Sequence, residues 1–248
     1  MTSLARMLDV LSIFSASEPV MTADDIIQRL DYSRPTAYRY MRALCAAGLL
    51  SRFASGYTLG PRVIELDYVI RLADPVLKVA KTPMQELAEQ YGCEVVLLSM
   101  YGAKVVTVHE EKSSDAPRVS FGRGHPMPLF RGAGSKVMMA YLPAAKQKKL
   151  FLQHPVEVAA STLGTEWAKF HASLRKIRAV GHDVSKGELD ATNVGVAAPI
   201  FRTGHNVRES IVMIMTKSRY QIADKPLLFE TLKKIADSIS ERITEPKD

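Results

Sequence analysis

The stretch YSRPTAYRYMRALCAAGLL, residues 32–50, contains three arginines, three tyrosines and no acidic residue. The charge changes sign where it begins: residues 1–31 have a net charge of −3, whereas residues 32–64 contain five arginines and no Asp or Glu. A helix formed by this stretch contains no carboxylate of its own to balance its charge. It therefore either faces a polyanion or presents a solvated surface.

The segments around this stretch predict two further helices and a hairpin. Apolar residues at helical spacing predict a first helix over residues 3–15, and Thr22 is the expected N-cap of a second that ends near residue 30. After a tight turn, Ser33 caps a third helix with Pro35 in its first turn, and Gly48 ends it. LLSRF and YTLG then flank a short turn and predict a hairpin.

This order of elements in about sixty residues is the plan of a winged helix-turn-helix. On a helical wheel, Ala37, Met41 and Leu44 share one face of the third helix, so Arg39 and Arg42 lie on the opposite face. That outer face has arginines for phosphates and guanine edges, which favours DNA over simple solvation. The candidate DNA-binding residues are Ser33, Arg34, Thr36, Tyr38, Arg39, Arg42, Arg52 and Ser55.

Composition limits the other possibilities. The 248 residues are 47% hydrophobic and 24% charged, which predicts a folded protein with one large and one small domain. We find no apolar run of membrane-span length and no secretory signal, so the expected location is the cytoplasm. Cys45 and Cys93 are too few for a disulfide framework or a cysteine metal site, and both are expected to be buried thiols.

The residues after Gly60 predict a linker helix and then a larger domain. Pro61 can begin a helix whose apolar positions are too many for a free linker, so it packs against a second copy of the chain or within its own chain. Ala73-Asp74-Pro75 marks the boundary. Beyond it we expect a helix from Thr82, a hairpin of CEVVLLSM with KVVTVHEE, a short strand RVSFG, and further helices and strands. This order predicts an antiparallel α+β sheet.

Motifs for catalysis or metal binding are weak in this larger domain. GRGHPM lacks the third glycine of a dinucleotide-binding loop, and GAGSK inverts the end of a phosphate-binding loop. The histidines show no HExxH spacing. We therefore predict no enzyme activity, no cofactor and no metal.

Five segments in order also resemble the IclR family of bacterial transcription regulators: SLARMLDVLSIF, SRPTAYRYMRALCAAGLLSR, GYTLGPRVIEL, GAGSKVMMAYLP and VGVAAPI. The resemblance covers nearly the whole chain. It implies a winged helix-turn-helix DNA-binding domain at residues 1–60, a linker helix at 61–74 and a GAF-like effector-binding domain at 75–248. It also implies a dimer or tetramer that binds double-stranded operator DNA and a small organic effector.

The family pattern also supplies candidate effector-binding residues, which are Arg131, Gly132, Ala133, Ser185, Gly195, Val212 and Ile214. The chain departs from the family where Ser185 replaces an acid, Gly195 replaces a cysteine, and Val212 and Ile214 replace serines. Fewer hydroxyls predict a larger, more apolar pocket, and Arg131 with the start of the GAGSK helix suits a carboxylate.

The expected effector is therefore an aromatic or apolar carboxylate-like molecule, and the regulated genes are expected to form a catabolic operon. Two alternatives remain open for the pocket: Arg131 faces solvent, and the apolar strand residues form only the sheet core. The alternative for the whole chain is an enzyme or small-molecule carrier whose winged domain serves protein contacts.

Overall fold

The computed structural model describes residues 2–202 and 206–244, so the expected outer limits at residues 1 and 248 lie outside the described residues. The chain divides into two compact units, Met1–Asp74 and Pro75–Asp248. Each unit has hydrophobic core clusters of its own. The combination of a helical first unit and a sheet-based second unit confirms the predicted α+β class.

The described residues of the first unit form four helices and a two-stranded sheet. In chain order these are α1 (Ser3–Ser12), α2 (Ala23–Leu30), α3 (Arg34–Ala46), β1 (Leu50–Phe53), β2 (Gly56–Leu59) and α4 (Arg62–Ala73). The core of this unit is formed by one apolar face of each of α1, α2 and α3 together with residues of both strands. Its most buried side chains include Val10, Ile26, Met41, Leu44 and Leu50.

Local side-chain chemistry sets the ends of α2 and the start of α3. Thr22 and Asp25 form a reciprocal capping box at the start of α2. Asp31 ends that helix in the left-handed region with φ of 51°. Ser33 occupies the N-cap position of α3 as predicted, but its hydroxyl donates to the Thr36 hydroxyl at 3.0 Å instead of capping a helix N–H.

A bridge that the sequence did not predict attaches the hairpin to the helices. Met21 and Tyr57 exchange two backbone hydrogen bonds, of 2.9 and 2.7 Å, just before α2 begins. Gly56 permits this approach, because a Cβ atom there would lie 2.3 Å from the Met21 carbonyl oxygen and its φ is +144°. The hairpin is therefore fixed relative to α2 and α3.

The second unit is a six-stranded antiparallel sheet with helices on both faces. The strands are β3 (Glu94–Tyr101), β4 (Lys104–Lys112), β5 (Pro126–Met127), β6 (Asp183–Lys186), β7 (Asn193–Arg202) and β8 (Asn206–Thr216), in the order β5-β4-β3-β8-β7-β6. The helices are α5 (Pro75–Tyr91), α6 (Ala133–Ala140), α7 (Ala144–Gln153), α8 (Pro155–Ala159), α9 (Trp167–Val180), α10 (Lys217–Ile222) and α11 (Lys225–Thr244). One sheet face packs on α5 and α11, and the other packs on α6 and α9.

Two of the sequence predictions for this unit were wrong. The helix expected from Thr82 begins at Pro75, because Val76, Val79 and Ala80 extend the buried face of α5 across Pro83. RVSFG does not form a strand. Its residues instead lie in the loop after β4, where side chains from β7 and the turn before it hold the backbone.

The two thiols differ in burial. Cys93 is buried, as expected, and burial raises the pKa of its thiol to about 12. Cys45 is only partly buried, which corrects the expectation for that residue. Within residues 2–202 and 206–244, no helix has the length and apolar character of a membrane span. The same residues contain no group of three or more His, Cys, Asp or Glu side chains placed to hold a metal ion.

Candidate functional site

The first candidate site is the outer face of α3. Its inner face is buried through Ala37, Met41 and Leu44, as the helical wheel predicted. Arg39 and Arg42 are exposed on the other side, one turn apart. This packing fixes the direction in which both arginines project, so they form a positively charged ridge.

The start of α3 holds the remaining helical candidates. Tyr38 is 44% exposed and Thr36 is partly buried beneath the Ser33 hydroxyl. Arg34 is less free than the sequence indicated, because its guanidinium lies 3.1 Å from the carboxylate of Asp24 on α2. Both groups are well exposed, so this ion pair is weak and a phosphate could replace it.

The hairpin supplies the two other candidates. Arg52 is exposed on β1, and Ser55 is exposed in the turn before β2. Both come from the element that the Met21–Tyr57 bridge fixes relative to α2 and α3. The structure thus displays all eight candidates on α3, its N-cap and the hairpin, with Arg39 and Arg42 as its central charges.

The second candidate site is a cavity in the second unit, between α6 and the sheet. It encloses about 490 Å³ of space, counting a part that opens to solvent. Its walls come from the sheet, the start of α6, the loop after β4 and the turn between β6 and β7. The lining residues are Val96, Leu98, Val119, Phe121, Met127, Ala133, Gly134, Ser185, Gly187, Glu188, Leu189, Asp190, Asn193, Gly195, Val212 and Ile214.

Five of the seven effector candidates line this cavity, namely Ala133, Ser185, Gly195, Val212 and Ile214. The side of the cavity formed by the sheet is called its floor here, and Gly195 lies on it. A Cβ atom at Gly195 would lie 3.0 Å from the Ser185 hydroxyl and 3.6 Å from a Val212 methyl group. Ser185 is buried beside it. The missing side chain at Gly195 therefore leaves space directly over the sheet.

Arg131 and Gly132 are not brought to the cavity. The Arg131 guanidinium donates to the backbone carbonyl of Glu188, and the Gly132 N–H donates to the Glu188 carboxylate at 2.8 Å. The sequence assigned both groups to a ligand carboxylate. In the structure, Glu188 accepts both hydrogen bonds, from Arg131 through its backbone carbonyl and from Gly132 through its carboxylate.

The same glutamate anchors a buried ion network. Lys136 on α6 has an almost fully buried side chain, and its ammonium lies 2.6 Å from Glu188 and 3.0 Å from Asp183. Thr162 donates a further hydrogen bond to Glu188 at 3.0 Å. Burial raises the pKa of Asp183, while Lys136 opposes that change. The charge of Lys136 is thus already balanced by two acids of the chain.

The start of α6 offers backbone donors to this part of the cavity. Ala133 and Gly134 are the first two residues of α6, and both line the cavity. The first N–H groups of a helix lack partners within the helix and carry its positive dipole end. Gly134 also brings α6 against the sheet, because a Cβ atom there would lie 2.5 Å from Leu98 and 2.6 Å from Val212.

The sequence analysis did not identify the wall of the cavity that comes from the segment after β4. Val119, Phe121 and Met127 come from the segment after β4, and Asp190 holds that segment by accepting hydrogen bonds from the N–H and hydroxyl of Ser120. The amide of Asn193 donates to the Arg118 carbonyl at 2.9 Å. The only available signal was the polar turn GELDATN before β7, since these contacts span about seventy residues of sequence.

Comparisons with known proteins agree with this arrangement. The IclR helix-turn-helix domain model matches residues 3–52, and the model of the C-terminal part of the bacterial transcriptional regulator IclR matches residues 72–241. The chain is 24% identical over 242 residues to the HTH-type transcriptional regulator KipR of Bacillus subtilis (strain 168), covering 97% of this chain and 96% of KipR.

Two solved structures share the fold. A protein from Silicibacter sp. TM1040, described as an IclR-type transcriptional regulator, has a TM-score of 0.86 at 21% identity, covering 100% of this chain and 98% of its own. An IclR homolog from Microbacterium hydrocarbonoxydans, solved in complex with 4-hydroxybenzoate, has a TM-score of 0.76 at 22% identity, covering 98% of this chain and 99% of its own. The model of the C-terminal part alone matches more than half of the residues of the present chain. The chain therefore belongs to the IclR family of bacterial transcriptional regulators.

Proposed function

We propose that this regulator binds operator DNA through α3 and the hairpin and responds to a small ligand in the cavity of its second unit. The observation that carries the proposal is the exposed Arg39–Arg42 ridge, because its direction is fixed by the buried opposite face of α3. Residues at such positions on a recognition helix reach base edges and phosphates in the major groove.

The effector in this proposal is a small aromatic or similarly apolar molecule with a carboxylate or carbonyl oxygen. Most of the cavity lining is apolar, which suits a ring, and the N–H groups at the start of α6 suit an oxygen atom. The ligand of the Microbacterium protein has both features. In this scheme, the regulated genes form a catabolic operon for that ligand.

The assembly in this proposal is a homodimer, or a tetramer of two dimers, formed through α4. None of the residues of α4 is buried, although the helix is rich in apolar side chains. Ile64 is 71% exposed and Ile70 is 61% exposed. A second copy would cover them and place two recognition helices for two half-sites about 34 Å apart along one DNA face.

Selection of DNA from a random-sequence pool tests the DNA-binding function. The wild-type protein should enrich one sequence with two related half-sites, and it should protect that sequence in a footprint. Enrichment of no sequence would contradict the proposal.

Sedimentation of the Val63→Asp/Ile70→Asp variant tests the assembly. We expect a shift toward monomer together with loss of operator binding, because two buried charges would oppose pairing of the α4 helices. A variant that remains dimeric would rule out α4 as the contact.

A further inference from the structure

Glu94 is a fully buried acid on the face of the sheet that carries the cavity. Its side chain is 0% exposed. Residues two apart on a strand share a face, and Val96 and Leu98 on the same strand line the cavity. Glu94 is therefore the next side chain of β3 on that face.

The register of the sheet places Glu94 in line with the cavity floor. Glu94 pairs with Ile214, which pairs with Gly195, which pairs with Ser185. The three other members of this row all line the cavity. Glu94 itself does not line the cavity, but it lies at the end of this row, directly beside the lining residue Ile214.

The carboxyl group of Glu94 has no hydrogen-bond partner for either oxygen among the described residues. The ammonium of Lys112 lies 3.6 Å from one of these oxygens, longer than a hydrogen bond, and lies closer, at 3.3 Å, to Glu110. A buried carboxyl group with one long ion pair and no closer hydrogen bond among the described residues is poorly satisfied, which is costly in a core with only a packing role.

The environment of Glu94 favours a neutral carboxyl group. Burial raises its pKa to about 7, Lys112 opposes this change, and the negative charges of Glu110 and Asp190 add to it. A carboxyl group that is protonated near neutral pH can both donate and accept a hydrogen bond.

The N–H groups at the start of α6 belong to another part of the cavity wall. Gly134 lies against Val212, and Glu94 lies beside Ile214, two residues further along β8. Two residues of a strand span about 7 Å. Gly134 and Glu94 therefore lie apart along the strand direction, and a ligand that contacts both needs a polar group at each of its two ends.

We propose that Glu94 is a specificity-determining residue of the effector site, where its carboxyl group hydrogen-bonds a hydroxyl or amino group on the ligand end that points away from α6. This inference rests on the proposed ligand class. It adds that the effector has two polar ends, with an oxygen atom at α6 and a hydrogen-bond donor at Glu94. A ligand without that donor would leave the buried carboxyl group unsatisfied.

Calorimetric titration of the full-length protein with two matched probes tests the inference. The probes 4-hydroxybenzoate and 4-methylbenzoate have the same ring and carboxylate, and differ only in the para hydroxyl or methyl group. The wild-type protein should bind 4-hydroxybenzoate at least about tenfold more tightly, which corresponds to about 1.4 kcal/mol. Equal affinities, or tighter binding of 4-methylbenzoate, would overturn the role of Glu94.

Three variants connect this preference to the side chain. Glu94→Leu should lose or reverse the preference, whereas Glu94→Gln should retain it because an amide also donates and accepts. Glu111→Leu is the matched control, since Glu111 pairs with Val95 and so lies on the other face of the sheet. Its preference should equal that of the wild type.

The outcomes separate this inference from the proposed function. An unchanged preference in Glu94→Leu would refute the inference and leave the ligand class intact. If neither probe binds at millimolar concentration while the selected operator still does, the ligand class and this inference both fail, but DNA recognition stands. If the leucine variant does not fold, Glu94→Met, which keeps the length of the side chain, takes its place and should likewise lose or reverse the preference.

Discussion

The substitution Glu94→Gln should change how the stability of the second unit depends on pH. In the unfolded chain, the pKa of this carboxyl is the ordinary 4.5, whereas in the folded protein burial raises the pKa to about 7. Between these values only the folded state binds the proton, so the free energy of unfolding falls as pH rises. The total fall attributable to Glu94 is about 3 kcal/mol. Glutamine does not titrate and should abolish it.

Denaturant unfolding at pH 4, pH 6 and pH 8 measures this effect. Trp167 is the single tryptophan of the chain and lies in the second unit, so its fluorescence reports unfolding of that unit. The variant should gain stability relative to the wild type as pH rises, with most of the change complete by about pH 7. The difference should then remain constant at higher pH.

The variant Lys112→Met tests whether the raised pKa of Glu94 causes this pH dependence of stability. Lys112 lowers the pKa of Glu94, so its removal should deepen the fall in wild-type stability with pH. A stability difference between Glu94→Gln and wild type that does not vary with pH would refute the reasoning. It would mean that Glu94 is ionised at the same pH in the folded and unfolded states.

Three further predictions follow from close contacts and burial. Gly195→Val should fill the cavity floor and weaken effector binding at least about tenfold in calorimetry, while the tryptophan unfolding curve shows a folded unit. Gly56→Val should destabilise the first unit by about 1–3 kcal/mol in thermal unfolding, because its Cβ atom would meet the Met21 carbonyl at a positive φ. Iodoacetamide at pH 8 should label Cys45 well before Cys93, as read by peptide mass spectrometry, because Cys93 is buried and its pKa is about 12.

The sequence predicted the elements of the first unit because their signals are local. Helical spacing separated Met41 from Arg42, and the capping residue Thr22 marked the start of α2. The Met21–Tyr57 bridge could not be predicted in this way, because it joins residues 36 positions apart through backbone atoms alone. Backbone pairing of this kind leaves no pattern in side-chain polarity.

The cavity was harder to predict for the same reason. Apolar strand residues such as Val212 could belong to the core or to a pocket, and only the position of α6 distinguishes the two cases. Arg131 was assigned to a ligand because its charge is visible in the sequence, while its partner Glu188 lies 57 residues away. Glu94 falls within the apolar run CEVVLLSM, where nothing local indicates that its side of the strand borders a cavity.

Recognition of DNA by the outer face of α3 is the central claim, and the Arg39→Ala/Arg42→Ala variant tests it most directly. The control is Arg175→Ala/Arg178→Ala, which removes the same charge at the same spacing from exposed positions on α9. Equilibrium binding to the selected operator should weaken at least about tenfold in the α3 variant and have a shallower salt dependence, while the α9 variant behaves as wild type. Wild-type affinity and salt dependence in the α3 variant would contradict the account.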